Sequence, residues 1–173
     1  MLRPLDRNDC EAWFAYLRLP EVFKGTSWNL QSVDEIRQTL EPYFDDGPTS
    51  PFRMAIVDQT TGSLVGTIGL HTISQTNRSA EIAYDIAPTH WGRGLASKIC
   101  EAVTFSSFDE HHMHWIQATV LVGNSRSERV LTRCGFSYQG LLRGFRMVRG
   151  QPGDFNIFSS LSTDRLASNM GKS

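Results

Sequence analysis

The order of hydrophobic periodicities between residues 52 and 108 is the feature that most constrains the fold. Runs at 52–57, 64–73 and 80–86 are rich in β-branched and apolar residues, and short polar turns separate them. Short turns join antiparallel strands, so these runs predict an antiparallel meander. From residue 94 the apolar residues recur every three or four positions, which predicts a helix over 94–108.

Further elements are predicted on both sides of this block. Two pairs of a capping residue with an acid three positions later mark helices near the amino terminus. The pairs are Asn8 with Glu11 and Ser32 with Glu35, and the helices span about 9–18 and 33–41. The later elements are a strand over 115–122, a helix that stops at Gly135, and strands over 136–148 and 154–161. This order predicts an α/β fold with a mixed, mostly antiparallel central sheet flanked by helices.

The length of the chain favours one globular domain, and its charge and hydropathy disfavour nucleic acids and membranes as partners. The chain has 173 residues and a formal net charge of −1, so no basic excess indicates nucleic acid, and no apolar run is long enough to cross a bilayer. We expect one domain over 1–162 and a flexible tail over 163–173. The cysteines Cys10, Cys100 and Cys134 form no CxxC pair, which is typical of free thiols in a reducing compartment. We therefore expect a soluble cytoplasmic protein; its oligomeric state stays open.

The stretch "HWGRGLAS" (90–97) places two glycines between a predicted strand and a predicted helix. Backbone N–H groups at a helix amino terminus can bind phosphate, but glycines also occur in ordinary tight turns. The residues around it match neither a Walker loop nor a dinucleotide fingerprint. From this stretch alone, a turn and an anion site are about equally favoured.

The residues on either side resemble a known family. "AEIAYDIAPTHWGRGLASKI" followed by "NSRSERVLTRCGF" resembles the GNAT N-acetyltransferase superfamily, in particular its ribosomal-protein N-terminal acetyltransferase branch, over roughly residues 1–162. The resemblance implies a GNAT-like fold and acetyl-CoA as co-substrate. It also implies that a loop binds the pyrophosphate of the co-substrate, and in this chain that loop would consist of Trp91, Gly92, Arg93, Gly94, Leu95, Ala96 and Ser97. Trp91 stands where most relatives carry Gln or Arg.

The same resemblance assigns chemistry to the strand before the loop. Main-chain groups near Ile86 and Ala87 would bind the pantetheine arm and the thioester carbonyl, at a point where the family's strands splay apart. Glu81 would be the general base, or would order the water that acts as one, and its pKa would need raising by partial burial. Alternatively, Glu81 is an acid on a strand paired with a basic side chain.

In "NSRSERVL" the resemblance implies that Asn124 contacts the CoA arm and that Ser127 faces the thioester sulfur. Many relatives carry a tyrosine as general acid four residues after the serine, but this chain has Leu131 there, so Ser127 becomes the candidate proton donor. Both residues could instead cap the helix. The second acid found in some members has no counterpart, because that region carries Arg146.

Other polar residues have less specific interpretations. Arg93, Arg126 and Arg129 could bind CoA phosphates or could lie on a solvated face. The three histidines of "HHMH" follow no familiar ligand spacing, so no metal site is predicted.

The function implied is transfer of an acetyl group from acetyl-CoA by direct attack of an acceptor amine. An α-amine costs about 1 kcal/mol to deprotonate at pH 7 and a lysine amine roughly 4 to 5, so a modest base favours a protein or peptide N-terminus, of the ribosomal-protein type by resemblance. A small amine, such as an antibiotic or a polyamine, is the alternative acceptor. A non-catalytic regulator that binds acyl-CoA is the alternative from another class.

Overall fold

The computed structural model describes residues 1–45, 47 and 49–164. Five α-helices and seven strands are formed by these residues, together with short 3-10 turns. The helices are α1 (Cys10–Leu17), α2 (Pro20–Phe23), α3 (Val33–Leu40), α4 (Leu95–Asp109) and α5 (Ser125–Arg133). The strands are β1 (Leu2–Pro4), β2 (Phe52–Val57), β3 (Leu64–Ser74), β4 (Ser79–Ile86), β5 (Trp115–Leu121), β6 (Ser137–Val148) and β7 (Gln151–Leu161).

All seven strands form one sheet in the order β1-β2-β3-β4-β5-β7-β6. Neighbours are antiparallel except β4 and β5, which are parallel because helix α4 carries the chain back across the sheet. The predicted α/β class, with a mixed and mostly antiparallel sheet, is therefore confirmed, as is the antiparallel meander of β2, β3 and β4.

Local predictions differ from the structure at a few places. The first helical segment is capped by Asp6 with Asp9, not by Asn8 with Glu11, whereas Ser32 caps α3 as predicted. The short elements β1 and α2 were not predicted, because three or four residues are too few to show a period. Of the predicted tail over 163–173, residues 165–173 lie outside the described part of the chain.

Strands β4 and β5 pair over three positions only. The last pair joins Glu81 to Gln117, and the five residues of β4 after Glu81 have no partner on β5. The sheet is thus open between the carboxyl ends of two parallel strands, as the resemblance implied. The main-chain groups on this side of β4 beyond Glu81 have no partner on any neighbouring strand that the structure describes.

Two hydrophobic clusters pack on opposite faces of the sheet. One contains α4 and α5 residues such as Cys100 and Leu131, and the other contains α1 and α3 residues such as Trp13 and Ile36. Trp91, which lies beside the gap, packs against both clusters. Cys10, Cys100 and Cys134 form no disulfide with one another in the described part of the chain. Within the described residues, no helix is long and apolar enough to cross a membrane.

Candidate active site

Two cavities meet where β4 and β5 separate. The first, of about 320 Å³, lies between the loop after β4 and helix α5, and the second, of about 490 Å³, lies between the sheet and the segment after α2. Both are lined by Gly25, Thr26, Tyr84, Asp85, Asn124 and Ser127. A molecule in one cavity can therefore contact a molecule in the other at this junction.

The first cavity collects most of the residues predicted to bind the cofactor. Its lining includes Ile86, Trp91, Gly92, Gly94, Leu95, Ala96, Ser97, Asn124 and Ser127. Arg93 is exposed and does not line the cavity. Its main chain, and not its side chain, is therefore the part that could contact the cofactor.

The two loop glycines adopt left-handed backbone conformations. Gly92 has φ +75° and Gly94 has φ +72°, and a Cβ at either would meet nothing within 4 Å. As far as contacts within the protein are concerned, glycine is thus needed here for its backbone conformation rather than for space. Gly94 is the N-cap of α4, so the free N–H groups of the first turn of this 15-residue helix point towards the first cavity.

Trp91 connects this loop to β4 and to α5. Its indole N–H donates to the main-chain carbonyl of Ile86 at 2.7 Å, and the guanidinium of Arg126 lies 4.0 Å from the centre of its ring. The aromatic residue in the position usually held by Gln or Arg therefore still provides a polar group, which is used within the protein.

The main-chain groups of Ala87, which were predicted to bind the pantetheine arm, are already bonded within the protein. Its N–H donates to Val65 at 2.8 Å and its carbonyl accepts from His90 at 2.9 Å. Since strand backbones alternate, an N–H of Ala87 directed at β3 turns the N–H of Ile86 towards the gap. With the Ile86 carbonyl bonded to Trp91, the N–H of Ile86 is the group left to meet a ligand.

Helix α5 gives the first cavity its charge. Arg126, Arg129 and Arg133 line it, and the acidic residues of its lining are Glu21 and Asp85, of which Asp85 is paired with Arg53. A net positive cavity at a glycine loop and a helix amino terminus fits the pyrophosphate and phosphate groups of CoA.

Asn124 and Ser127 form the first turn of α5. The Asn124 side chain accepts from the N–H of Ser127 at 3.2 Å and donates to the Gly25 carbonyl at 2.8 Å. Asn124 therefore caps α5 and also lies in the site. Its bond to Gly25 holds the segment after α2 against the junction. The Ser127 hydroxyl has no bonded partner within the described residues.

Glu81 lies in the second cavity and is paired with a basic side chain. Arg146 contacts its carboxylate at 3.0 Å and Thr119 donates to it at 2.6 Å, while only 5% of the side chain is exposed. Burial acts to raise the pKa of Glu81, but the Thr119 hydrogen bond and the Arg146 charge outweigh it, so the pKa lies below its ordinary value. The expectation that burial leaves Glu81 with a raised pKa, as its role of general base would need, is therefore wrong.

His71 on β3 is the cross-strand partner of Glu81 and also faces this cavity. Its Nε2 lies 4.0 Å from the Glu81 carboxylate. Burial lowers the pKa of His71 below 6.5, and the charges of Arg146 and Arg53 lower it further against the opposing effect of Glu81. The imidazole is therefore neutral at pH 7.

Asp85 is the most heavily bonded side chain of the junction. It accepts from Trp13 at 3.0 Å, from Thr67 at 2.9 Å and from Tyr16, and it forms an ion pair with Arg53 at 2.6 Å. This network attaches α1 and β2 to the strand beside the gap. The sequence prediction missed Asp85, although two acids four residues apart on one face of an apolar strand indicate that both have buried partners.

Tyr84 was also missed. Its hydroxyl donates to the main-chain carbonyl of Ser127 at 3.2 Å, and its ring packs among residues of the α4 and α5 cluster. The alternation of β4 indicates that Tyr84 faces away from Asp85, towards α5.

Comparison with known proteins identifies the family. The acetyltransferase (GNAT) domain family matches residues 1–137. The uncharacterized N-acetyltransferase YoaA of Bacillus subtilis is 34% identical over 164 residues, 92% of this chain and 91% of that protein. The putative ribosomal N-acetyltransferase YdaF of the same species is 35% identical over 103 residues, 60% of this chain and 56% of that protein.

A solved structure of similar fold contains a CoA ligand. Spermidine N-acetyltransferase from Vibrio cholerae, in complex with CoA and spermine, superposes with a TM-score of 0.82 at 25% identity, covering 96% of this chain and 97% of that one. A glycine loop at a helix amino terminus, a parallel strand pair that splays and a cationic cavity agree with this likeness. The chain belongs to the GNAT acetyltransferase family, and it is an enzyme that transfers an acetyl group from acetyl-CoA to an amine.

Proposed function

We propose that the acceptor is the α-amine of a protein or peptide. The observation that carries this proposal is the charge of the second cavity, which we call the acceptor cavity. Its charged lining consists of Arg53, Glu81, Asp85 and Arg146, and each carboxylate is paired with one of the arginines. With His71 neutral, these groups sum to zero.

A neutral cavity suits an acceptor that carries one ionisable amine. A polyamine brings several positive charges into contact with two arginines, and neither carboxylate is free to compensate them. An α-amine with a pKa near 8 requires only about 1 kcal/mol for deprotonation at pH 7. The lowered pKa of Glu81 makes it a poor proton acceptor, and an α-amine is the acceptor that least needs a strong one.

The walls of the acceptor cavity suit a peptide. Trp28, Tyr43 and Phe155 line it together with the polar main chain of the segment after α2. Aromatic side chains and main-chain groups can contact the first residues of an extended chain. The likeness to a putative ribosomal N-acetyltransferase supports the same class of acceptor.

We assign the remaining site residues within this proposal. The main-chain N–H groups of the 91–97 loop bind the pyrophosphate, and the Ile86 N–H meets the pantetheine arm or the thioester carbonyl. Asn124 orients the arm, and Ser127 faces the sulfur. Glu81 holds and orients the acceptor end, because its pairing with Arg146 keeps it ionised.

An acceptor panel tests the proposal. Release of free CoA thiol is measured with peptides that have free α-amines, with the same peptides N-acetylated but carrying lysine, with aminoglycosides and with spermidine. We expect kcat/KM for the best free peptide to exceed that for spermidine by at least tenfold.

Two results would contradict the proposal. A higher kcat/KM for spermidine would identify a polyamine enzyme, which the likeness to the Vibrio cholerae structure makes the second candidate. Turnover of the N-acetylated lysine peptides at the rate of the free peptides would move the acceptor to a side-chain amine.

A further inference from the structure

The junction of the two cavities must provide a proton for the CoA thiolate. When the amine attacks the carbonyl carbon, the carbon–sulfur bond breaks and the electron pair stays on sulfur. The side-chain hydroxyls at the junction belong to Thr26, Tyr84 and Ser127. Asp85 is an acceptor in all four of its side-chain contacts, so its carboxylate is already engaged by other groups.

Tyr84 lies against the turn of α5 on which many relatives carry their tyrosine. Its hydroxyl is 3.2 Å from the carbonyl of Ser127, which helix geometry pairs with the N–H of Leu131. The phenol therefore reaches the Ser127–Leu131 turn from β4, whereas the relatives' phenol comes from α5 itself. Leu131, fully buried, cannot donate a proton.

We propose that Tyr84 is the proton donor to the leaving sulfur of CoA. The phenol O–H turns from the Ser127 carbonyl to the sulfur and passes its proton as the carbon–sulfur bond breaks. The nitrogen of the attacking amine, which carries an extra proton after attack, returns one to the phenolate, directly or through the Ser127 hydroxyl. No other reactant is needed, and the products are the amide and the CoA thiol.

Two observations favour Tyr84 over Ser127 acting alone. A phenol is a far stronger acid than an alcohol, so it is the better donor to a thiolate. Burial raises the pKa of Tyr84 well above its ordinary value, with Cys100 adding to the effect, so the phenol stays protonated over the working range of the enzyme. Thr26, whose hydroxyl donates to the Phe23 carbonyl, is a weaker candidate for the same reason as Ser127, because its side chain is an alcohol.

The first test replaces Tyr84→Phe, with Tyr138→Phe as the control. Tyr138 is 56% exposed on β6 and lines neither cavity. General acid catalysis contributes factors of about 10² or more, so we expect kcat to fall about 100-fold in Y84F while the Kd for acetyl-CoA changes less than threefold. A kcat within threefold of the wild type would overturn the proposal.

A second test separates proton donation from a structural role. A fluorinated tyrosine incorporated at position 84 keeps the ring and the hydroxyl but makes the phenol more acidic. If Tyr84 donates the proton, fluorination brings into the measurable range an alkaline limb of kcat that the wild type lacks, because the pKa of the phenol is lowered. If the hydroxyl only supports α5, the fluorinated protein is active and its kcat shows no such limb, which contradicts the proposal.

The inference rests on acetyl transfer and uses the proposed acceptor only to choose the assay. The acceptor that turns over fastest in the panel serves for both variants. If every amine fails, hydrolysis of acetyl-CoA replaces aminolysis, because water attack also expels the thiolate. Failure of the α-amine proposal thus leaves the Tyr84 test intact.

Discussion

The Arg146 guanidinium lies 3.0 Å from the carboxylate of Glu81, so β6 supplies the counter-charge for an acid on β4 across two intervening strands. Arg146 is itself packed near the rings of Phe145 and Phe155, at 4.8 Å and 5.7 Å. The pair keeps Glu81 ionised and removes net charge from the acceptor cavity. The same region in some relatives carries an acid, so an arginine here reverses the local charge.

Replacement of Arg146→Ala should change both stability and acceptor preference. A buried carboxylate loses its partner, so we expect the free energy of unfolding to fall by about 1–3 kcal/mol. The cavity gains a net negative charge, and we expect the ratio of kcat/KM for spermidine to that for peptide to rise at least fivefold, or ~1 kcal/mol. Arg143→Ala, an exposed change on the same strand, is the control. An unchanged ratio would show that cavity charge does not select the acceptor.

The pH dependence of kcat/KM should follow the acceptor and not Glu81. The free-base fraction of an α-amine rises tenfold per pH unit below about pH 8, so we expect kcat/KM to rise to a plateau there. The pKa of Glu81 is lowered below its ordinary 4.5, so its titration falls below the range between pH 6 and 9. Glu81→Gln should then reduce kcat/KM without moving the inflection. An inflection between pH 5 and 7 that disappears in E81Q would restore Glu81 as the general base.

The sequence predicts the secondary structure elements well, but it predicts poorly the side-chain contacts between residues that are far apart in the chain. Alternation and helical spacing are local properties, so the meander, α4 and the final hairpin follow from short windows. The Glu81–Arg146 contact joins residues 65 positions apart, and nothing local indicates it. The alternative interpretation of Glu81 as an acid paired with a basic side chain agrees with this contact, but no sequence pattern indicates that Arg146 is the partner.

The gap between β4 and β5 was predicted in part: its position was predicted, but the main-chain groups that it leaves free were not. Its position came from family resemblance, and the structure shows pairing that stops at Glu81. Which main-chain groups remain free was not predictable, because Trp91 and Val65 use those of Ile86 and Ala87 through tertiary contacts.

Trp91→Phe should weaken CoA binding by removing one hydrogen bond. The phenyl ring can still lie under Arg126, but the Ile86 carbonyl loses the indole donor at 2.7 Å. We expect the Kd for acetyl-CoA to rise about fivefold to tenfold, or ~1 kcal/mol, because the loop is less firmly held. Trp115→Phe is the control, since its indole donates to Gln117 at 3.3 Å and lines neither cavity. Equal effects of the two changes would rule out a specific role for Trp91.

Gly94→Ala should abolish tight CoA binding, and Gly62→Ala is the control that separates the effect on the ligand from the effect of backbone strain. The two glycines have nearly the same backbone angle, φ +72° and +71°, and a Cβ at either meets nothing within 4 Å in the free protein. Alanine in this conformation costs roughly 1–2 kcal/mol, so both variants should lose similar thermal stability. Gly62 lies in the turn between β2 and β3, away from both cavities, whereas a methyl group at Gly94 stands where the pyrophosphate approaches the backbone. Isothermal titration with CoA should therefore show near-wild-type affinity for G62A and at least a 30-fold loss for G94A. Equal affinities in the two variants would mean that the glycines serve only the turn and that the phosphates bind elsewhere.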